Sequence, residues 1–225
     1  MGRDERSPAV LPTPGFRGDH VCRRKVSQVT STADTGTQPG ESLVRDAGLD
    51  DATLVVRARD GDVRAFEVLV LRYQGPMYRL ALRMLASRGD AEDVVQEVFL
   101  TAWRRLGRLR ESAAFVGWLY RMTTNRCLNV IRARRPMAVT DLDARASADA
   151  AGSPERSAQV GEQLAALSDG LQQLTAEQRA CWLLREVHGR SYDEIARATG
   201  TTGTAVRGRI ARARAHLAEV MAPWR

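Results

Sequence analysis

From Asp51 onward the apolar residues of the chain fall into steps of three and four. Phe66, Leu69, Val70, Tyr73, Met77, Leu80 and Met84 keep that spacing, which lines one face of an amphipathic helix. Gly75-Pro76 interrupts the run, and because proline lacks the amide hydrogen that continues a helix, a kink or split is expected there. A second helix, capped by Asp90, would carry Val94, Val95, Val98, Phe99 and Ala102 on one face. Its other side is then acidic, with Glu92, Asp93, Gln96 and Glu97. A third helix is predicted from near Ser112, with Phe115, Leu119, Met122 and Val130 inward, ending at Arg135 before Pro136.

Helical periodicity returns with Leu164, Leu167, Leu171 and Leu174. Thr175 with Gln178 and Ser191 with Glu194 each fit a capping box and fix two helix starts. A last helix is predicted from about Thr202 to Met221. No strand-like alternation intervenes, so the expected fold class is all-α, with two small helical domains over 51–136 and 162–225. Residues 137–161, rich in Ala, Ser, Asp and Pro, read as a flexible linker, and residues 1–50 as a disordered extension.

Charge changes the picture. The formal net charge is +7, and of 34 basic residues only Lys25 is lysine. Arginine is the planar, bidentate, base-stacking cation, and two clusters of it stand out. The segment SYDEIARATGTTGTAVRGRIARARAHL has helix-turn-helix spacing, with Ala196 at the crossing, Gly200 in the turn and Val206 packing back. Its second helix carries Arg207, Arg209, Arg212 and Arg214, and no acidic residue lies between Thr199 and Ala218 to neutralise them. A helix with one basic face suits the major groove. The second cluster spans Thr101 to Arg135, with nine arginines against the single acid Glu111. Trp103, Phe115, Trp118 and Tyr120 interleave it, a mixture suited to unpaired bases.

Other chemistry is not indicated. Cys22, Cys127 and Cys181 are widely spaced without a CxxC pair, so neither disulfides, a metal site nor a cofactor is expected. No phosphate-binding GxxxxGK is present, and a binding protein rather than an enzyme is predicted. The opening residues lack the apolar core of a secretory signal, which points to the cytoplasm. A stand-alone helix-turn-helix repressor would share the C-terminal half, but residues 51–136 look like neither a receiver nor a ligand-binding domain.

Taken together, DAEDVVQEVFLTAWRRL, FVGWLYRMTTNRCLNVIRARR and LTAEQRACWLLREVHGRSYDEIARATG resemble an extracytoplasmic-function (ECF) sigma factor of bacterial RNA polymerase, in the sigma-70 family. The resemblance makes 51–136 region 2 and 162–225 region 4, with 137–161 standing where larger sigma factors carry region 3. It implies core RNA polymerase (β′ clamp helices and β flap), promoter DNA and an anti-sigma factor as partners, with no small-molecule substrate. Asp93, Gln96 and Glu97 match the polymerase-docking helix. Arg108 and Arg110, in the loop that captures a flipped base, and Trp118, Asn125, Arg126 and Arg132 behind it match the minus-ten element's binding site. Thr204, Arg207, Arg209 and Arg212 match minus-35 positions, with Arg214 placed on phosphate. The chain departs from the family at Gly208, where serine is frequent, and at Ala211, where a bulky residue is frequent.

Overall fold

The computed structural model describes residues 48–134 and 154–224, with side chains from 161 in the second stretch. Among these residues every regular element is helical. Helix α1, Asp51–Arg59, starts at Asp50, whose carboxylate accepts the Thr53 amide at 3.1 Å. Gly61, at φ 97°, turns the chain into α2, a position that favours glycine. Helix α2, Val63–Leu85, is capped by Asp62, which also accepts from Arg57. The polypeptide around Asp51 is thus its own short helix, a division the periodicity did not show. Residues 49 and 50, placed in the extension by sequence, belong to this corner: the Leu49 carbonyl accepts from Arg72 at 3.0 Å. Residues 1–47 lie outside the described set.

Pro76 does not split α2, which runs unbroken through 23 residues. Leu69, Met77, Leu80 and Met84 are fully buried on both sides of it, so burial offsets the one backbone hydrogen bond that proline removes. Helix α3, Arg88–Arg105, is capped by Ser87 rather than Asp90, whose carboxylate instead pairs with Arg134. Two 3-10 turns, Leu106–Arg108 and Ser112–Ala114, lead into α4, Phe115–Arg134. Phe115 and Leu119 are fully buried against α2, as their spacing predicts.

The linker expectation fails at its C-terminal end. Helix α5 spans Pro154–Gln173, so helix begins eight residues before the predicted start of the second domain at 162, with proline in the first turn where its missing amide costs nothing. Residues 135–153 lie outside the described set. Both predicted capping boxes are present: Thr175 opens α6, Ala176–Trp182, and Ser191 opens α7, Tyr192–Thr199. Between them Leu183–Val187 forms a π-turn. Gly200 ends α7 at φ 64°, and α8, Gly203–Val220, follows from its Thr202 cap. Val206, Ile210, Ala213 and Leu217 form the buried stripe of α8.

The two helical regions also pack on one another, chiefly α4 against α7. Tyr120 on α4 meets His188, with its hydroxyl 3.1 Å from Nδ1, and the Arg190 guanidinium lies 4.8 Å from the Tyr120 ring centre. Burial, together with Arg83, Arg79 and Arg190, holds His188 down at about 4.

Candidate functional site

Helix α3 separates its two faces cleanly. Ala91, Val94, Val98, Phe99 and Ala102 face the core, while Asp93, Gln96 and Glu97 are exposed, as predicted. Beside the acids lies a feature the sequence reading missed. A groove of about 960 Å³ runs between α2 and α3, lined by Val63, Phe66, Val70, Tyr78, Leu100 and Trp103 with Asp93 and Gln96 at its edge. Leu100 and Val63 are 51% and 54% exposed, and together with the other apolar residues lining the groove they make a contiguous apolar patch rather than scattered single side chains. Leu100 falls on the polar side of α3, so it interrupts the pattern and was the available signal.

The aromatic residues of the second cluster divide. Phe115 is fully buried and Tyr120 is 6% exposed, so neither ring is available to stack on bases. Trp103 packs its ring 5.0 Å from Phe66 and joins the groove rather than the basic helix. Trp118 is half-buried, 6.3 Å from Phe115, and keeps part of its surface accessible. Steric pairing across a helical core, not base stacking, therefore accounts for most of these rings.

The predicted basic residues remain at the surface. Arg108 and Arg110 flank the turn between the 3-10 segments, and Asn125, Arg126 and Arg132 are exposed on α4. Arg126 donates to Glu97 at 2.7 Å, which brings one residue of the acidic prediction against one of the basic prediction. Arg132 lies 3.9 Å from Glu177 of α6 and 3.4 Å from Asn129. Exposed pairs of this kind contribute only about 0–1 kcal/mol and can exchange for phosphate.

On α8 the four arginines have four different settings. Thr204 and Arg207 are exposed in the first turns, and Arg212 lies back along the helix, its guanidinium over the space that a Cβ at Gly208 would enter. Arg209 is half-buried, with one terminal nitrogen enclosed and unpaired, and its guanidinium reaches the Cys181 thiol. It therefore points into the hairpin, because position 209 borders the buried 206–210–213 stripe. Arg214 is neutralised after all. Glu186 of the π-turn accepts from it at 2.7 Å, a partner 28 residues away that the local charge count could not reveal.

Among the described residues no group of three or more His, Cys, Asp or Glu is placed to hold a metal ion. No described helix is long and apolar enough to cross a membrane.

A helix-turn-helix with an arginine-bearing second helix, joined to a helical region whose exposed face is acidic and grooved, defines a DNA-binding factor of the transcription machinery. The chain belongs to the sigma-70 family of RNA polymerase sigma factors, within its ECF group: residues 69–136 match sigma-70 region 2 and residues 164–217 match sigma-70 region 4. It is 40% identical over 182 residues to the RNA polymerase sigma-H factor of Pseudomonas aeruginosa, across 77% of this chain and 94% of that protein. It is also 40% identical over 177 residues to the ECF RNA polymerase sigma-E factor of Escherichia coli, across 74% and 91%. Among solved structures, CnrH in complex with the cytosolic domain of CnrY matches with a TM-score of 0.60 at 29% identity, over 77% of this chain and 97% of that one. RpoE of Bartonella quintana, bound to the anti-sigma factor NepR, shares the fold at a TM-score of 0.60 and 22% identity, over 69% and 96%. The function is promoter-specific initiation of transcription by RNA polymerase.

Proposed function

We propose that the α2–α3 groove and the acidic edge of α3 form the surface that docks on core polymerase, with Asp93, Gln96 and Glu97 facing a basic, partly apolar partner such as the β′ clamp helices. The observation that carries this is the juxtaposition of three exposed polar residues with an exposed apolar groove on one helix pair. Arg108, Arg110, Trp118, Asn125, Arg126 and Arg132 serve the minus-ten strand, and Thr204, Arg207 and Arg212 serve the minus-35 duplex. Arg209 supports the hairpin from within, and Arg214 meets phosphate only by leaving Glu186. The chain works as region 2 over 51–136 and region 4 from 162 onward, with β flap as the contact of the latter.

Its role is that of a binding factor, the chemistry of RNA synthesis belonging to the polymerase, and its place of work is the cytoplasm. CnrH is found with the cytosolic domain of CnrY and RpoE with the anti-sigma factor NepR, and a protein partner of the anti-sigma kind, which membership of the ECF group implies, is part of this reading. Transcription in vitro with added core polymerase tests the assignment. Promoter-specific transcripts that vanish on charge reversal at Asp93 and Glu97, with duplex binding by region 4 unchanged, are the expected result. Transcripts that persist would overturn the docking surface.

A further inference from the structure

Arg207 is the exposed arginine of α8 whose support comes from a ring. Its guanidinium carbon lies 5.4 Å from the centre of the Tyr192 ring, and that of Arg185 lies 4.8 Å from the same centre. Tyr192 is the first residue of α7, directly after the Ser191 cap, so the capping box fixes where its backbone stands. Arg185 donates to the Arg190 carbonyl at 3.0 Å, and Arg190 donates to the His188 carbonyl at 3.0 Å. Ring, guanidinium and loop thus form a platform anchored at several points. The other arginines of α8 are held otherwise: Arg214 by Glu186, Arg209 inside the hairpin, and Arg212 along its own helix over Gly208.

The kind of support matters for the chemistry. A carboxylate takes up the N–H donors of a guanidinium, whereas an aromatic face attracts the cation without using them. An arginine held on a ring therefore keeps its fork of donors for the O6 and N7 acceptors of a guanine. A long side chain already ordered before binding also loses less conformational freedom when it docks.

We propose that Tyr192 is a positioning residue for promoter reading: its ring holds Arg207 in the pose that meets a base edge of the minus-35 duplex. The proposal rests on the assignment of Arg207 to that duplex. Preference at the base pair read by Arg207 then depends on an aromatic face at position 192, while contacts elsewhere on the promoter do not.

The test uses the full chain with core polymerase on promoters carrying single minus-35 substitutions, read as relative run-off transcription. Wild type is compared with Tyr192→Phe, Tyr192→Leu, Arg207→Ala and the Tyr192→Leu/Arg207→Ala double variant, each checked for unchanged helicity and thermal melting. Tyr192→Phe should keep the preference profile. Tyr192→Leu should reduce preference at one base pair by about two- to fivefold, the size of a cation–π contact near a protein surface. The double variant should look like Arg207→Ala alone. If Tyr192→Phe loses as much as Tyr192→Leu, the hydroxyl rather than the ring is what counts, and the proposal fails. It fails also if the effect of Tyr192→Leu persists at full size without Arg207. An unchanged profile in Arg207→Ala would instead remove Arg207 from base reading, and the role of Tyr192 with it. Should Tyr192→Leu not fold, Tyr192→Trp against Tyr192→Met poses the same contrast between face and bulk.

Discussion

The guanidinium of Arg179 donates to the main-chain carbonyl of Met84 at 2.5 Å, across 95 residues of sequence. Met84 lies in the last turn of α2, and the same guanidinium also donates to the carbonyls of Leu171 and Gln172 at the end of α5 and of Leu174 just beyond it. The last carbonyls of a helix lack intrahelical partners and carry its negative dipole end, so one cation satisfies two helix termini. No carboxylate is among these contacts. Burial lowers the Arg179 pKa to about 10, and the group is still charged near neutrality.

Arg179→Ala should therefore destabilise the protein by about 2–4 kcal/mol, because several buried carbonyls lose their donor at once. Arg179→Lys should recover little of it, since an ammonium cannot span the fork of acceptors. Thermal denaturation of the three proteins checks this. A lysine variant as stable as wild type would show that charge alone suffices.

His188 should make the contact between the two regions sensitive to acid. Its ordinary pKa is 6.5 and its pKa in the packed state is about 4, lowered first by burial and then by Arg83, Arg79 and Arg190. Neutral imidazole is thus the form the contact with Tyr120 favours, and Glu194, facing Tyr120, is the nearby acid. The contribution is fully present above pH 6.5 and is lost as pH falls toward 4. Fluorophores on α2 and α8 should separate across that window, and His188→Leu should flatten the dependence. Identical titrations of both proteins would assign the acid response to another group.

At the docking face, Asp93→Ala and Gln96→Ala should weaken competition for core polymerase without changing stability, since exposed Ala is a good helix former. Glu97→Ala differs. It removes the Arg126 partner as well, so it should weaken polymerase binding and also alter minus-ten binding, measured with a single-stranded minus-ten oligonucleotide. Equal effects of all three on both readouts would deny that Glu97 bridges the two surfaces.

Glu186 should act as a brake on Arg214. Glu186→Gln frees that guanidinium for phosphate, so duplex affinity should rise and the salt dependence should steepen by up to about one unit. Arg214→Ala in the same background should abolish the gain. Salt titrations of duplex binding distinguish this from an Arg214 that serves only to tie α8 to the π-turn, in which case the slope stays constant.

The sequence by itself determined what depends on neighbours along one helix. Apolar spacing placed Leu69, Met77, Leu80, Phe115 and Leu119 in the core, and the capping boxes at Thr175 and Ser191 marked helix starts to the residue, because caps are local hydrogen bonds. The family motifs were legible for the same reason. Tertiary structure decided whatever depends on residues far apart. Pro76 stays inside α2 because packing on both sides outweighs a lost hydrogen bond, and Ser87 caps α3 while Asp90 is drawn to Arg134. The arginines of α8 are alike in sequence, yet Glu186, Cys181 and Tyr192 give three of them different settings. A charge pattern fixes which side chains can reach a phosphate or a base; only the folded neighbourhood fixes which of them are free to do so, because the competing partners come from other helices.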